Sequence, residues 1–263
     1  IQFVSGLLIP ASRHGTHEVL GSLLLRELGF ISPETFEVKA NVAGTEHQMI
    51  FQEIARKELL ERNQRREGPI FEGDETLIWD DPTKKIGDLE PISLARLTND
   101  EWFLKGPVAR EISLYALLKL QQAFINYALD ISYFRELAIF PNKDGDPIFA
   151  NYFFALQAMK GEHALRPHNR QFYFNSVLNK FEPIYYDGNL SLHHKVSFDD
   201  GSAYFDQNVI DIALNGVEAK MLSKIQSLSN NVDARNKFKN RTFLDDASAN
   251  HFFDLATTTL WKN

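Results

Sequence analysis

The chain has 263 residues, 44% of them hydrophobic and 24% charged, which is enough length and apolar content for a sizeable core and argues against disorder. Its formal net charge of −7 argues against a nucleic-acid partner, because phosphate contacts need a basic face. With no cysteine, disulfides, thiolate metal sites and a cysteine nucleophile are excluded, and no apolar run reaches the length of a membrane span.

Residues 1–9 read equally as strand or loop; no signal peptide or repeat is visible, and a start without Met reads as a trimmed or processed chain. Thr16 is the expected N-cap of a first helix, with Glu18 in its first turn suited to the helix dipole. Val19, Leu20, Leu23, Leu24 and Leu28 recur at helical spacing and predict one apolar face; Gly29 suits the C′ position, and Pro33 bars continuation. Thr35–Asn41 and His47–Gln52 then predict two strands about an Ala43-Gly44 turn. Ile54–Arg66 is a charged helical stretch whose Glu58–Arg62 and Glu61–Arg65 spacings suggest solvated i,i+4 pairs. From Gly68 to Gly106 the chain reads as irregular, with turn clusters such as Glu72-Gly73-Asp74 and with Trp79 and Trp102 as packing residues. A long helix over Ala109–Leu129 follows. Asn142–Asp146 resembles the start of a calcium loop but lacks the bidentate Glu, and is taken as a polar turn. Pro147 opens a helix through Lys160, and helices over Val209–Leu228 and Phe252–Leu260 close the chain.

The stretch Gly161–Asn189 carries the chemistry. Two aromatic-rich runs, Gln171–Asn175 and Lys180–Tyr186, predict a hairpin with Asn169 just before it and Asp187 just after it. Two hard oxygen ligands at the ends of one hairpin can hold Mg2+ or Mn2+ against phosphates, an arrangement that protein kinases use. Ala164 stands five residues before Asn169, where a kinase has its catalytic Asp. His163 is the candidate replacement base, expected to titrate near the ordinary ~6.5, with Glu162 or a carboxylate among Asp199, Asp200 and Asp206 behind it. Arg166 is placed either to approach a phosphate or to pair with an acidic loop, and His168 to orient Asn169. His193 and His194 would point oppositely in a strand, so a joint metal site is not expected.

These residues, with Leu25–Phe30, Phe51-Gln52-Glu53, Glu67–Asp74, His168-Asn169-Arg170 and Phe181–Asp187, resemble the CotH family of atypical kinase-like proteins over about residues 13–188. The resemblance implies an α+β, two-lobed protein-kinase-like fold. Residues 1–53 would form a small lobe, truncated or incomplete at its N-terminus, and 54–263 a mostly helical large lobe. It further implies ATP and Mg2+ as cofactors and a protein substrate, with Asn169 and Asp187 as metal ligands and Glu53 at the nucleotide end of the hinge. Glu18 would be placed to meet the ATP lysine of a complete lobe. A bacterial coat or cell-envelope setting also follows from the resemblance alone; the residues themselves leave the compartment open. Three functions follow: a phosphotransferase, a degenerate kinase-like binding or scaffold module, and a structural coat protein. In the binding module, a carboxylate restored by Ala164→Asp is expected to create activity.

Overall fold

The computed structural model describes residues 6–10, 15–74, 76, 94–129, 147–193 and 217–262. Trp79, Asn142–Asp146, His194, Asp199, Asp200 and Asp206, each given a role above, lie outside them. The elements are β1 (Gly6–Pro10), α1 (Gly15–Leu28), β2 (Thr35–Val42), β3 (Thr45–Glu53), α2 (Lys57–Arg62), β4 (Ile70–Gly73), β5 (Ala95–Leu97), α3 (Asp100–Phe103), α4 (Pro107–Leu129) and α5 (Ile148–Ala158). Two 3-10 turns, Glu162–Leu165 and Pro167–Asn169, lead into β6 (Gln171–Asn175) and β7 (Lys180–Ile184). Helices α6 (Ala219–Ser227), α7 (Val232–Lys239) and α8 (Asp246–Lys262) follow. Helices combine with two small antiparallel sheets, ordered β1-β3-β2 and β5-β4-β6-β7, so the α+β class holds.

Helix α1 sits at the centre. Nine of its 14 residues are buried, including Gly21, Ser22 and Leu25, so it is enclosed on more than the single face that its spacing suggested. Thr16 lies inside the helix and is no cap; its hydroxyl donates to Glu37 Oε1 at 2.9 Å. The C-terminus closes as expected, with Gly29 at φ +103°, its N–H on Arg26 O and the Phe30 N–H on Leu25 O. The β2–β3 hairpin turns through Ala43 and Gly44, both at positive φ, which matches the twist of the strands.

Two cores flank the central elements. One gathers α1, α5 and the C-terminal helices α6–α8 with Ile50, Tyr185 and Leu190. The other packs Phe71, Phe172, Phe174 and Phe181 of the second sheet against α4. Alternation along β6 sends Phe172 and Phe174 to that core and Tyr173 to a third, smaller cluster with Ile31, Leu59 and Ile184. A division at residue 53/54 cuts through the first core, because α1 is packed there with helices from the far end of the chain.

Several local expectations are corrected. The segment 54–66 is helical only over Lys57–Arg62, and the i,i+4 pair found there is Lys57–Glu61. Arg62 instead reaches Glu53 at 3.2 Å and Arg65 reaches Glu182 at 2.7 Å, both carboxylates being almost fully enclosed. A buried carboxylate gains more from a cation than a solvated one does, so the long-range partners win. Glu72-Gly73 belongs to strand β4, not to a turn, and β4 and β5 complete a four-stranded sheet about the predicted hairpin. Residues 6–10 form an edge strand on β3, and α7 fills a stretch given no element from the sequence. Pro183 sits in β7 at the sheet edge, where its missing N–H leaves no ladder gap.

Candidate functional site

The β6–β7 hairpin brings its two ends together as the residue spacing required. His163, in the first 3-10 turn, places its Nδ1 2.8 Å from the Asp187 carbonyl oxygen and 3.3 Å from Asp187 Oδ2. With a proton on Nδ1 the contact to the Asp187 carbonyl is a hydrogen bond, and Nε2 is then the nitrogen left for proton exchange. Asn169 lies on the other side: its Nδ2 donates to the His163 carbonyl at 3.0 Å and stands 3.0 Å from Nδ1. Asn169 Nδ2 and the Asp187 carboxylate thus lie on the same imidazole nitrogen, at 3.0 and 3.3 Å from it.

Their surroundings differ. Asn169 is 4% exposed and fixed by the loop, whereas the Asp187 side chain is 51% exposed and open to a ligand. Asp187 also adopts φ +44°, a conformation that Asp tolerates better than most residues. The Asp187 carboxylate holds the His163 imidazolium above its ordinary range, against the opposing effect of burial, with a smaller lowering from Arg166 nearby. The expectation of an unperturbed His163 is corrected accordingly. Burial also raises the carboxyl of Glu162, the second candidate base.

Arg166 links the two 3-10 turns in extended conformation, its carbonyl receiving the Asn169 N–H at 3.0 Å. Ala164 is 2% exposed and packs in the first core. The 3-10 turn sends His163 toward Asp187 and its neighbour Ala164 inward, so the position matched to a catalytic Asp does not face the site.

Glu53 lies at the end of β3. Its carboxylate is 1% exposed, takes Arg62 Nε at 3.2 Å and accepts the Glu34 N–H at 3.0 Å, while its own N–H donates to Glu34 O. The side chain is thus committed inward. Glu53 nevertheless forms the wall of a pocket of about 250 Å³ together with Gln52, Ile54–Arg56, Gln171 and Tyr186. Its lining comes within two residues of Asn169 and one of Asp187, but His163, Arg166, Asn169 and Asp187 do not themselves line it.

Two hard oxygens, Asn169 Oδ1 and the Asp187 carboxylate, suit a cation that keeps waters and phosphates as its remaining ligands, as Mg2+ does. Among the described residues no group of three or more His, Asp or Glu is gathered for a metal, so an all-protein cage is not what is offered. No helix among those residues is long and apolar enough to cross a membrane.

Sequence reasoning missed the role of α1. Glu18, read as a dipole-suited or lysine-binding residue, accepts from the Tyr185 hydroxyl and from the Leu190 N–H at 3.0 Å. An acidic residue in the first turn of so apolar a helix was the available signal. No family model matches the chain, and no curated protein matches it.

Proposed function

We propose that this protein is a CotH-like, ATP- and Mg2+-dependent phosphotransferase acting on protein. The observation that carries the reading is the meeting of Asn169 and Asp187 about His163 at the ends of one hairpin. The pocket walled by Gln52–Arg56, Gln171 and Tyr186 supports it, being of a size to take a nucleobase beside that pair. In this reading Asn169 and Asp187 hold Mg2+ or Mn2+, residues 53–56 meet the adenine, and Arg166 supplies positive charge for the phosphates. A cation held there neutralises charge on the phosphates and the transferring group. His163 is oriented through Nδ1 and takes the acceptor hydroxyl proton at Nε2.

A second reading, a binding or scaffold module, is favoured by one observation: the Ala164 position is buried, so no side chain there serves as base. His163→Ala separates the two. With His163 as base, turnover falls by about 10²–10⁴-fold while ATP affinity changes little. Full turnover in the variant removes His163 from the chemistry, and wild-type binding of Mg2+ and ATP without transfer favours the binding module.

The pH dependence has a definite sign. A raised His163 keeps its proton, and its hold on Asp187, to a higher pH than a free histidine does. Mg2+-dependent ATP binding, and turnover at limiting ATP, are therefore expected to rise as pH increases through a midpoint above the ordinary ~6.5. A profile with its midpoint below that value, measured by calorimetry and by phosphate transfer, contradicts the assignment.

A further inference from the structure

The turn that follows β7 is an unusual piece of backbone. Asp187 and Asn189 both lie at positive φ, at +44° and +50°, on either side of Gly188. Such a turn needs outside support to stay in one conformation, and α1 provides it. Glu18 accepts the Tyr185 hydroxyl and the Leu190 N–H, so one carboxylate bridges the residue two before Asp187 and the residue three after it. The Tyr185 oxygen in turn receives the Gly188 N–H at 3.2 Å. The residue before Glu18, His17, accepts the Leu192 N–H on its Nδ1 at 3.0 Å.

Packing fixes the same segment. Leu190 is fully buried, and its side chain occupies the space that a Cβ would need at Gly21 of α1 and at Gly161 before the first 3-10 turn, while the Tyr185 ring and hydroxyl fill that space at Gly188. A Cβ on Gly21 would lie 1.8 Å from Leu190 Cδ1, and one on Gly161 2.5 Å from Cδ2. Helix α1, the loop carrying His163 and the turn carrying Asp187 thus meet on one leucine.

We propose that Glu18 is a positioning residue, which through Tyr185 and the Leu190 amide fixes the turn that presents Asp187. Glu18 acts on backbone and on a tyrosine, which differs from the lysine-binding role expected for a glutamate on this helix. The fixing of the turn stands on the hydrogen bonds alone. Its consequence for metal binding rests on the function proposed above.

Two readouts keep the latch and that function apart. Amide hydrogen exchange is measured on the full chain for the segment 187–192 and, as a reference, for α8, in wild type, Glu18→Ala, Glu18→Gln and Tyr185→Phe. Leaving a buried backbone amide without its hydrogen-bond acceptor is worth about tenfold or more in local opening. Glu18→Ala is therefore expected to speed exchange over 187–192 by about tenfold or more with α8 unchanged, Tyr185→Phe to do so less, and Glu18→Gln to recover much of the protection. Unchanged exchange over 187–192, or equal acceleration in both segments, overturns the proposal. Mn2+ is then titrated into the same proteins: weaker binding in Glu18→Ala, recovered in Glu18→Gln, supports the positioning of a metal ligand. If 187–192 loosens while Mn2+ affinity stays as in wild type, positioning for metal is overturned; if wild type binds no Mn2+, the metal reading fails and the latch is judged by exchange alone.

Discussion

Ala164→Asp is expected to destabilise the protein by about 3 kcal/mol or more, and not to create phosphotransfer. The residue is 2% exposed and packs among the apolar side chains of the first core, beside Leu165 in the same 3-10 turn. A carboxylate there leaves water for an apolar core, and desolvation raises its pKa. The folded-state pKa then exceeds the unfolded one, so the penalty is small in acid and grows as pH rises through the ordinary carboxylate range. Urea denaturation at acidic and neutral pH measures both the loss and its pH dependence. A variant as stable as wild type at neutral pH would mean that residue 164 faces the site, and would revive the rescue that the sequence suggested.

Asp187→Asn is expected to weaken Mg2+-dependent ATP binding by about 100-fold or more, equivalent to ~2.7 kcal/mol, with little change in the unfolding curve without ligand. The selectivity follows from its surroundings. The side chain is half exposed and contributes little packing, and Asn accepts φ +44° as readily as Asp does. What Asn cannot supply is the negative charge facing the cation. The substitution also removes the carboxylate that raises His163, so the imidazole should titrate closer to ~6.5. Thermal shift with ATP and Mg2+ together, and with each alone, reads the binding; an undiminished shift in the variant takes Asp187 out of the site.

The parts of this architecture that were legible in the sequence are those set by short-range patterns. Helix α1 and its Gly29 cap, the 35–53 hairpin and the 171–184 hairpin follow from periodicity and turn chemistry within a few residues. Asn169 and Asp187 could be paired because a hairpin fixes the geometry between its ends. What was not legible depends on distant partners. Arg62 and Arg65 fit local helical pairs well, yet their carboxylates are Glu53 and Glu182, the latter 117 residues away. The β4–β5 pairing was hidden for the same reason, since strands of three and four residues have too little alternation to stand out from loop.

Residue 164 illustrates a different limit. Motif spacing matched it to a kinase's catalytic Asp, but spacing carries no information on which way a side chain turns. The 3-10 turn decided that, directing His163 to the site and Ala164 to the core. Glu18 shows the converse: its position on the helix was plain, and only the returning chain at Tyr185 and Leu190 revealed what it holds.

Binding of a nucleotide and its cation beside the β6–β7 hairpin is tested by crystals grown with ATP and Mn2+. Anomalous scattering from manganese locates the ion without assumption about the rest of the site. A peak is expected within about 2.0–2.2 Å of Asn169 Oδ1 and an Asp187 oxygen, with His163 displaced from the carboxylate and the adenine against residues 53–56. Manganese bound elsewhere, or ATP bound away from the pocket while His163 keeps its contact with Asp187, would contradict it.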